Sequence, residues 1–360
     1  MKILLVAGAR PNFMKVAPLI HALELGRKVE WKLVHTGQHY DYEMSQVFFD
    51  EFEIPKPDFF LNVGSGGHAE QTAKILIEFE KVCIKEKPDI VVVVGDVNST
   101  LACSITAKKL NIKVAHVEAG LRSRDMAMPE EINRIVTDAI SDYLFVSEKS
   151  GVENLKKEGK GVEQIFFVGN IMIDSLYYCL NKAGRVDSKN NATKDKYAVL
   201  TLHRPSNVDN KEKLTEILGA VEEISKDLPI YFPIHPRTER NIVNFGLDSF
   251  RSLPNIKILP PQSYSEFLTL WRDAALVLTD SGGIQEETTV VGIPCFTIRN
   301  NTERPITVEE GTNTLVGTTK ENILGAYTIF KNGILKSGKI PELWDGKTAH
   351  RIVDILMGQS

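Results

Sequence analysis

What the chain lacks narrows it first. Its 360 residues hold only four cysteines. Cys83, Cys103, Cys179 and Cys295 are scattered, form no CxxC or other metal-ligand spacing, and each lies in an apolar neighbourhood. That pattern reads as reduced thiols used as small core hydrophobes, in a cytoplasmic protein, rather than a disulfide or zinc framework. No charge of one sign dominates: 43 Lys+Arg stand against 47 Asp+Glu, a net −4. With no block of like charge, a nucleic-acid or membrane-surface partner is not expected. The opening MKILLVAGARPN holds an apolar run too short for a signal segment or a membrane span. There is no internal repeat, no GxxxxGK[ST], no HExxH, and no metal cluster of Cys or His. Gly64–Ala69 (GSGGHA) loosely follows GxGxxA but does not follow the first buried strand, so the dinucleotide fingerprint is not met.

What is present is the composition of a globular protein, 42% hydrophobic and 25% charged. Its length exceeds what one core usually supports, so two domains are expected. Short apolar runs alternate with longer helical patterns, the signature of βα units and parallel sheets. Strands are expected at Lys2–Ala7, Trp31–His35, Asp89–Val94, Lys113–Val117, Tyr143–Val146 and Ile165–Val168. A second set is expected at Tyr197–Leu202, Pro229–Ile234, Ile256–Leu259, Leu276–Leu278, Ile293–Ile298 and Thr314–Val316. Six and six predict two doubly wound α/β domains, 1–181 and 197–347. The polar segment 182–196 (KAGRVDSKNNATKDK) is a linker, and a helix within 348–360 packs back on the first domain.

The unusual polar residues cluster just after the strands. GARPN, TGQHY, GDVNST and EAGLRSRD do so in the first half, and LHRPSN, IHPRTER, PPQSY, TDSGGIQEE and RNNTERP in the second. Ligands of open parallel sheets bind beyond the carboxyl ends of the strands, so these loops predict a ligand cleft. In TDSGGIQEE a strand runs into a Ser-Gly-Gly turn and then a helix. Glycines there let backbone approach a ligand, and the helix N-terminus suits a phosphate; Glu287 stands where it can accept from ribose hydroxyls. The alternative is a tight turn with Ser281 as N-cap. Arg10, Lys15 and Arg304 are candidate cations for a diphosphate, or else solvated surface charges.

Asp96, Glu118 and the pair Glu130 and Glu131 follow successive strands of the first half. Carboxylates sharing a cleft can divide acid and base roles. Asp96 can instead cap the helix starting near Asn98, and one of Glu130 and Glu131 is expected to be structural, paired with a residue such as Arg134. Glu118, directly after an apolar strand, is hard to explain as a solvated residue. His116, His203 and His235 are each open between satisfied structural histidine and catalyst.

Taken together and in order, GARPNFMKVAP, TGQHYDYEMS, GDVNSTLA, HVEAGLRS, MPEEINR, VGNIMID, LTLHRPSNVD, LTDSGGIQEE and NNTERP closely resemble the non-hydrolysing UDP-N-acetylglucosamine 2-epimerase family, from about residue 3 to about residue 317. The resemblance implies a GT-B architecture, two Rossmann-like domains facing a cleft, and a homodimer. It implies a UDP-sugar substrate, loss of the C2 proton together with UDP to give 2-acetamidoglucal, and re-addition of UDP with the proton delivered to the other face, with neither NAD nor metal. By motif position, Asp96, Glu118, Glu130 and His203 match catalytic residues. Arg10, Lys15, Gln262, Phe267, Ser281, Gly282, Gly283, Glu287 and Arg304 match UDP contacts.

Three motifs depart from the pattern. Many bacterial members read GTRPE where this chain has Gly8-Ala9-Arg10-Pro11-Asn12, QHRxM where it has Gln38-His39-Tyr40-Asp41, and HRRE where it has His203-Arg204-Pro205-Ser206. In those members the last two help form a second, activating UDP-GlcNAc site, which is not matched here. The GARP opening with TGQHYD also resembles a sister group acting on UDP-2,3-diacetamido-2,3-dideoxyglucuronate.

Overall fold

A computed structural model describes residues 1–25, 29–37, 49–182, 197–334 and 336–358, with the Arg10 side chain also outside the description. The expected linker, from residue 183 on, and the Gln38–Asp41 motif therefore lie outside the described residues. Two compact units divide the chain: Met1–Cys179 with Glu342–Ser360, and Leu180–Pro341.

The first unit is built on seven parallel strands: β1 (Lys2–Ala7), β2 (Glu30–His35), β3 (Phe59–Phe60), β4 (Ile90–Val94), β5 (Lys113–Ala119), β6 (Tyr143–Val146) and β7 (Ile165–Phe167). Their order across the sheet is β3-β2-β1-β4-β5-β6-β7. The second unit has six: β8 (Ala198–Thr201), β9 (Ile230–Pro233), β10 (Ile256–Leu259), β11 (Leu276–Thr279), β12 (Cys295–Thr297) and β13 (Asn313–Leu315), ordered β10-β9-β8-β11-β12-β13. Both orders reverse direction once, between β1 and β4 and between β8 and β11, which is the doubly wound pattern. The six expected strands of the first half become seven. Phe59–Phe60 escapes a sequence reading because it is two residues long and gains its identity only by pairing with Val34 and His35.

Strands buried on both faces need no alternation, and Ile90–Val94 (IVVVV) is β-branched throughout and wholly buried. Helices cover the faces, and proline fixes where several begin. Helix Pro129–Ile140 opens on Pro129 and helix Pro236–Asn244 on Pro236, where a missing N–H costs nothing. In the second unit one apolar cluster joins the sheet to its helices through Leu200, Phe232, Leu278, Ile217 and Ile323. Truncating a fully buried ring such as Phe232 to Ala costs about 3–5 kcal/mol. All four cysteines are buried and none is in a disulfide. Among the described residues no helix is long and apolar enough to cross a membrane.

The tail returns to the first unit at Glu342, ahead of its helix Thr348–Leu356. The buried Trp344 indole donates to the Ser147 carbonyl at 2.9 Å. Asp174 then caps the helix, accepting from the amides of Thr348 at 3.1 Å and Ala349 at 2.8 Å.

Candidate active site

The candidate residues fall in two groups, one in each unit, and each group includes residues at the point where its sheet reverses order. In the first unit, the turn from β1 into helix Arg10–Glu24 is pinned by Asn12. Its side chain accepts from the amides of Gly8 and Ala9, at 3.1 and 2.9 Å, and donates to the Val94 carbonyl of β4 at 3.1 Å. One buried amide thus ties the two strands that flank the reversal. Arg10 opens the helix, and one turn on Lys15 is buried and ion-paired with Glu118.

Glu118 does not follow β5, as its position after an apolar run suggests; it lies inside it. The register with β6 breaks between Val117 and Ala119, and Glu118 has φ +76°. A non-glycine residue in the left-handed region costs about 1–2 kcal/mol, and such strain tends to be kept where geometry serves function. The bulge brings a charged side chain against Lys15 at the sheet's carboxyl end. Gly95, at φ +67°, makes room for the pair. A Cβ there would stand 2.9 Å from Lys15 Nζ and 3.4 Å from Glu118 Oε2.

Asp96 follows Gly95. The helix after it is capped at Val97, not by Asp96, which removes the helix-cap alternative. Arg134 holds Asp96 Oδ2 through Nε at 3.0 Å and Nη2 at 2.7 Å, and Asn133 donates to the Asp96 carbonyl at 2.8 Å. Of the adjacent glutamates, Glu131 is the structural one. It is 1% exposed, accepts from the amides of Ser123 and Arg124, both at 2.9 Å, and pairs with Arg134 at 2.5 Å. Burial alone would raise its pKa, yet those amides and Arg134 hold it below the usual range. Glu130, in the first turn of the same helix, is half-buried. His116 is fully buried between Asp138 and the Gly95 carbonyl, a satisfied core histidine.

In the second unit, β8 and β11 are neighbours and their loops share one carboxylate. Asp280, fully buried, lies 2.8 Å from Nδ1 of His203. It accepts from the amides of His203 (3.0 Å) and Arg204 (2.9 Å) as well. Burial pushes its pKa up, but the His203 side chain and these amides prevail and hold it low. His235 is a helix cap, its Nδ1 accepting from the Arg237 amide at 3.1 Å, with its ring 5.9 Å from that of His203.

Ser281 sits at the N-cap of helix Gly282–Val291, which also holds Gly283, but makes no side-chain cap hydrogen bond. The sheet instead holds the turn, Thr279 Oγ1 accepting from the Ser281 amide at 2.9 Å. The helix N-terminus and the serine hydroxyl are therefore not closed on each other by a side-chain cap. A Cβ on Gly282 would meet Arg304 Nη1 at 2.7 Å and Glu303 Oε1 at 3.0 Å. Arg304 pairs with Glu286 and Glu303, each at 2.7 Å. Glu303, which the sequence alone did not single out, also receives Arg299 at 2.8 Å and Arg204 at 3.5 Å. Burial opposes its ionisation, but the arginines dominate and hold its pKa far below the usual range. Glu287 is buried, Tyr264 donates to its Oε1 at 2.8 Å, and its Oε2 has no hydrogen-bond partner among the described residues. Burial, with Glu286 nearby, pushes its pKa up to about 8. Phe267 is half-buried on helix Tyr264–Trp271, and Gln262 donates to the Pro260 carbonyl at 2.8 Å.

The sequence profile of the UDP-N-acetylglucosamine 2-epimerase family matches residues 21–357. This chain belongs to that family. It is 48% identical to a UDP-N-acetylglucosamine 2-epimerase of Methanocaldococcus jannaschii over 99% of both chains. It is 40% identical to a UDP-2,3-diacetamido-2,3-dideoxy-D-glucuronate 2-epimerase of Pseudomonas aeruginosa, again over 99% of both. The crystal structure of the M. jannaschii epimerase in complex with UDP-GlcNAc and UDP aligns at TM-score 0.90, with 47% identity, over 99% of this chain and all of that one. A sucrose-phosphate synthase of Thermosynechococcus elongatus, 14% identical at TM-score 0.62 over 100% of this chain and 98% of that one, shares the fold alone. The fold is thus of the GT-B type that the family resemblance implied.

Proposed function

We propose that this chain epimerises UDP-N-acetylglucosamine at C2 to UDP-N-acetylmannosamine without hydrolysing it. A carboxylate of the first unit takes the C2 proton as the C1–O bond breaks. The bonding pair leaves with UDP, and the sugar becomes 2-acetamidoglucal. UDP then adds back to C1 while a proton is delivered to the opposite face of C2. No hydride moves, so NAD is not required. The C2 hydrogen has no carbonyl beside it to acidify it, so the step depends on a well-placed base and on strong stabilisation of the departing diphosphate.

The observation that carries this reading is Glu118, kept in a left-handed conformation at a strand bulge and paired with Lys15. Asp96 and Glu130 are the companion carboxylates. In the second unit, His203 set by Asp280, the Ser281-Gly282-Gly283 turn, Arg304, and Glu287 with its unpartnered Oε2 are the inventory for holding UDP. A buried carboxyl with one oxygen unpartnered suits a ribose hydroxyl. Lys15 and Arg10 serve the diphosphate, and Gln262 and Phe267 the uracil side. A homodimer acting in the cytoplasm, serving polysaccharide synthesis, belongs to the same reading.

The relative from P. aeruginosa favours a second reading, the same chemistry on UDP-2,3-diacetamido-2,3-dideoxyglucuronate. The two are separated by measuring kcat/KM for each sugar nucleotide, with chromatographic identification of the product. A ratio above about tenfold for UDP-N-acetylglucosamine supports the proposal, and the opposite ratio replaces it with the uronate. A protein that turns over neither alone but transfers sugar to an added acceptor is a glycosyltransferase instead.

A further inference from the structure

Glu118 is strained, and strain persists only where surrounding bonds over-determine it. Those bonds converge on Asp138 of helix Pro129–Ile140, a fully buried carboxylate that takes no part in the proposed reaction. Its Oδ1 lies 2.6 Å from Nδ1 of His116, two residues before Glu118. Its Oδ2 accepts from the amide of Gly120, two residues after Glu118, at 3.0 Å. One side chain thus grips the strand on both sides of the bulge. The grip extends sideways, because His116 Nε2 lies 2.8 Å from the Gly95 carbonyl. A carbonyl can only accept, so Nε2 carries the hydrogen. Gly95 is the residue packed against the Lys15–Glu118 pair, and Asp96 follows it.

The anchor is itself charge-balanced. Arg122 Nη1 reaches Asp138 Oδ2 at 2.8 Å, and the same guanidinium holds Glu158 through Nε at 2.8 Å and Nη2 at 2.6 Å. Gly120, at φ +81°, is pressed against Gly151, where a Cβ would lie 2.5 Å from the Gly151 carbonyl oxygen. The same helix supplies Arg134 to Asp96, and Glu131 to the amides of Ser123 and Arg124. One rigid element therefore sets both carboxylates.

We propose that Asp138 and His116 form a positioning pair that holds Glu118 in its left-handed conformation and aligns it with Asp96, acting on proton transfer and not on nucleotide binding. The inference rests on Glu118 being a reacting carboxylate. Neither residue touches the nucleotide in this scheme. Losing the pair lets the bulge relax and carries the carboxylate away from its working position, where a displacement near 1 Å costs about 100-fold in rate.

The test measures kcat, KM and UDP affinity for Asp138→Ala, Asp138→Asn, His116→Ala and Glu118→Gln, with thermal melting of each. Expected for Asp138→Ala and His116→Ala is a fall in kcat of about 100-fold with KM and UDP Kd within about threefold. Asp138→Asn keeps an acceptor for Gly120 and a donor toward His116, and should recover at least about tenfold over Asp138→Ala. An Asp138→Ala or His116→Ala protein that folds and keeps kcat within about threefold overturns the pair, as does a proportional loss of kcat and UDP binding, which marks a merely structural role. If Asp138→Ala does not fold, His116→Ala carries the same criteria. Glu118→Gln separates the two levels: retained turnover there sinks the catalytic reading and the pair with it. A dead Glu118→Gln beside unaffected pair variants sinks the pair alone.

Discussion

Asp280 lies 2.8 Å from Nδ1 of His203 and also accepts the amides of His203 and Arg204, so a single buried carboxylate from the end of β11 fixes both the ring and the backbone of the loop that follows β8. Asp280→Ala should therefore lower kcat by about 10- to 100-fold, the usual scale for losing an outer partner of a site histidine. It should also destabilise the second unit by about 1–3 kcal/mol, because two part-buried amides lose their acceptor. The Asp280 pKa is held below its ordinary value, so its contribution to stability is present above about pH 4 and fades as pH falls further. Denaturant titrations at pH 7 and pH 3, compared between wild type and variant, read this directly; equal differences at both values would contradict it.

Glu287 has the opposite sign. Burial raises its pKa to about 8, so the folded protein favours the protonated form. That stabilising contribution is complete below about pH 4.5 and is lost as pH rises through about 8. Glu287→Gln should match wild-type melting at pH 5 and exceed it at pH 9, by about 1–3 kcal/mol. It should also weaken UDP binding, since an amide replaces the acceptor offered to ribose. Calorimetry at the two pH values checks the first half and titration with UDP the second.

Gly282 is a steric requirement of the Arg304 contact. In Gly282→Ala the new methyl would stand 2.7 Å from Arg304 Nη1, and the flexible guanidinium will move instead of the backbone. The fold should survive, destabilised by about 1–3 kcal/mol as the buried pairs of Arg304 with Glu286 and Glu303 are disturbed, while UDP affinity falls about tenfold. Isothermal titration with UDP distinguishes this from a silent substitution.

Neighbouring glutamates should part company. Glu131→Gln disrupts buried bonds to Ser123, Arg124 and Arg134, and should cost about 2–3 kcal/mol of stability. Glu130→Gln, half-buried at the helix start, should leave melting within about 0.5 kcal/mol and remove most of the turnover. A reversed pattern would exchange their assignments.

The strands and the ends of the sheets that carry the candidate residues are legible in the linear sequence. Continuous β-branched runs such as Ile90–Val94 fit strands buried on both faces, and the polar loops after them mark the carboxyl ends. What the linear pattern does not carry is anything decided by distant partners. Phe59–Phe60 is a strand only through Val34 and His35. The bulge that puts Glu118 inside β5 depends on Asp138, on the following helix. Asp280, beside the conspicuous glycines, and Glu303, between Thr302 and Arg304, read as ordinary loop acids. Their roles come from His203 and from three arginines gathered by folding. Asn12 is the tie between β1 and β4.

The most direct measurement is proton NMR of the purified protein with UDP-N-acetylglucosamine in D2O, with no NAD or metal added, run beside Glu118→Gln. Removal of the C2 proton with UDP elimination predicts UDP-N-acetylmannosamine bearing deuterium at C2, deuterium entering C2 of the recovered substrate, and neither in the variant. Epimer formed with C2 still carrying its original hydrogen would contradict proton removal at that carbon, and full exchange in Glu118→Gln would contradict the carboxylate on which the scheme turns.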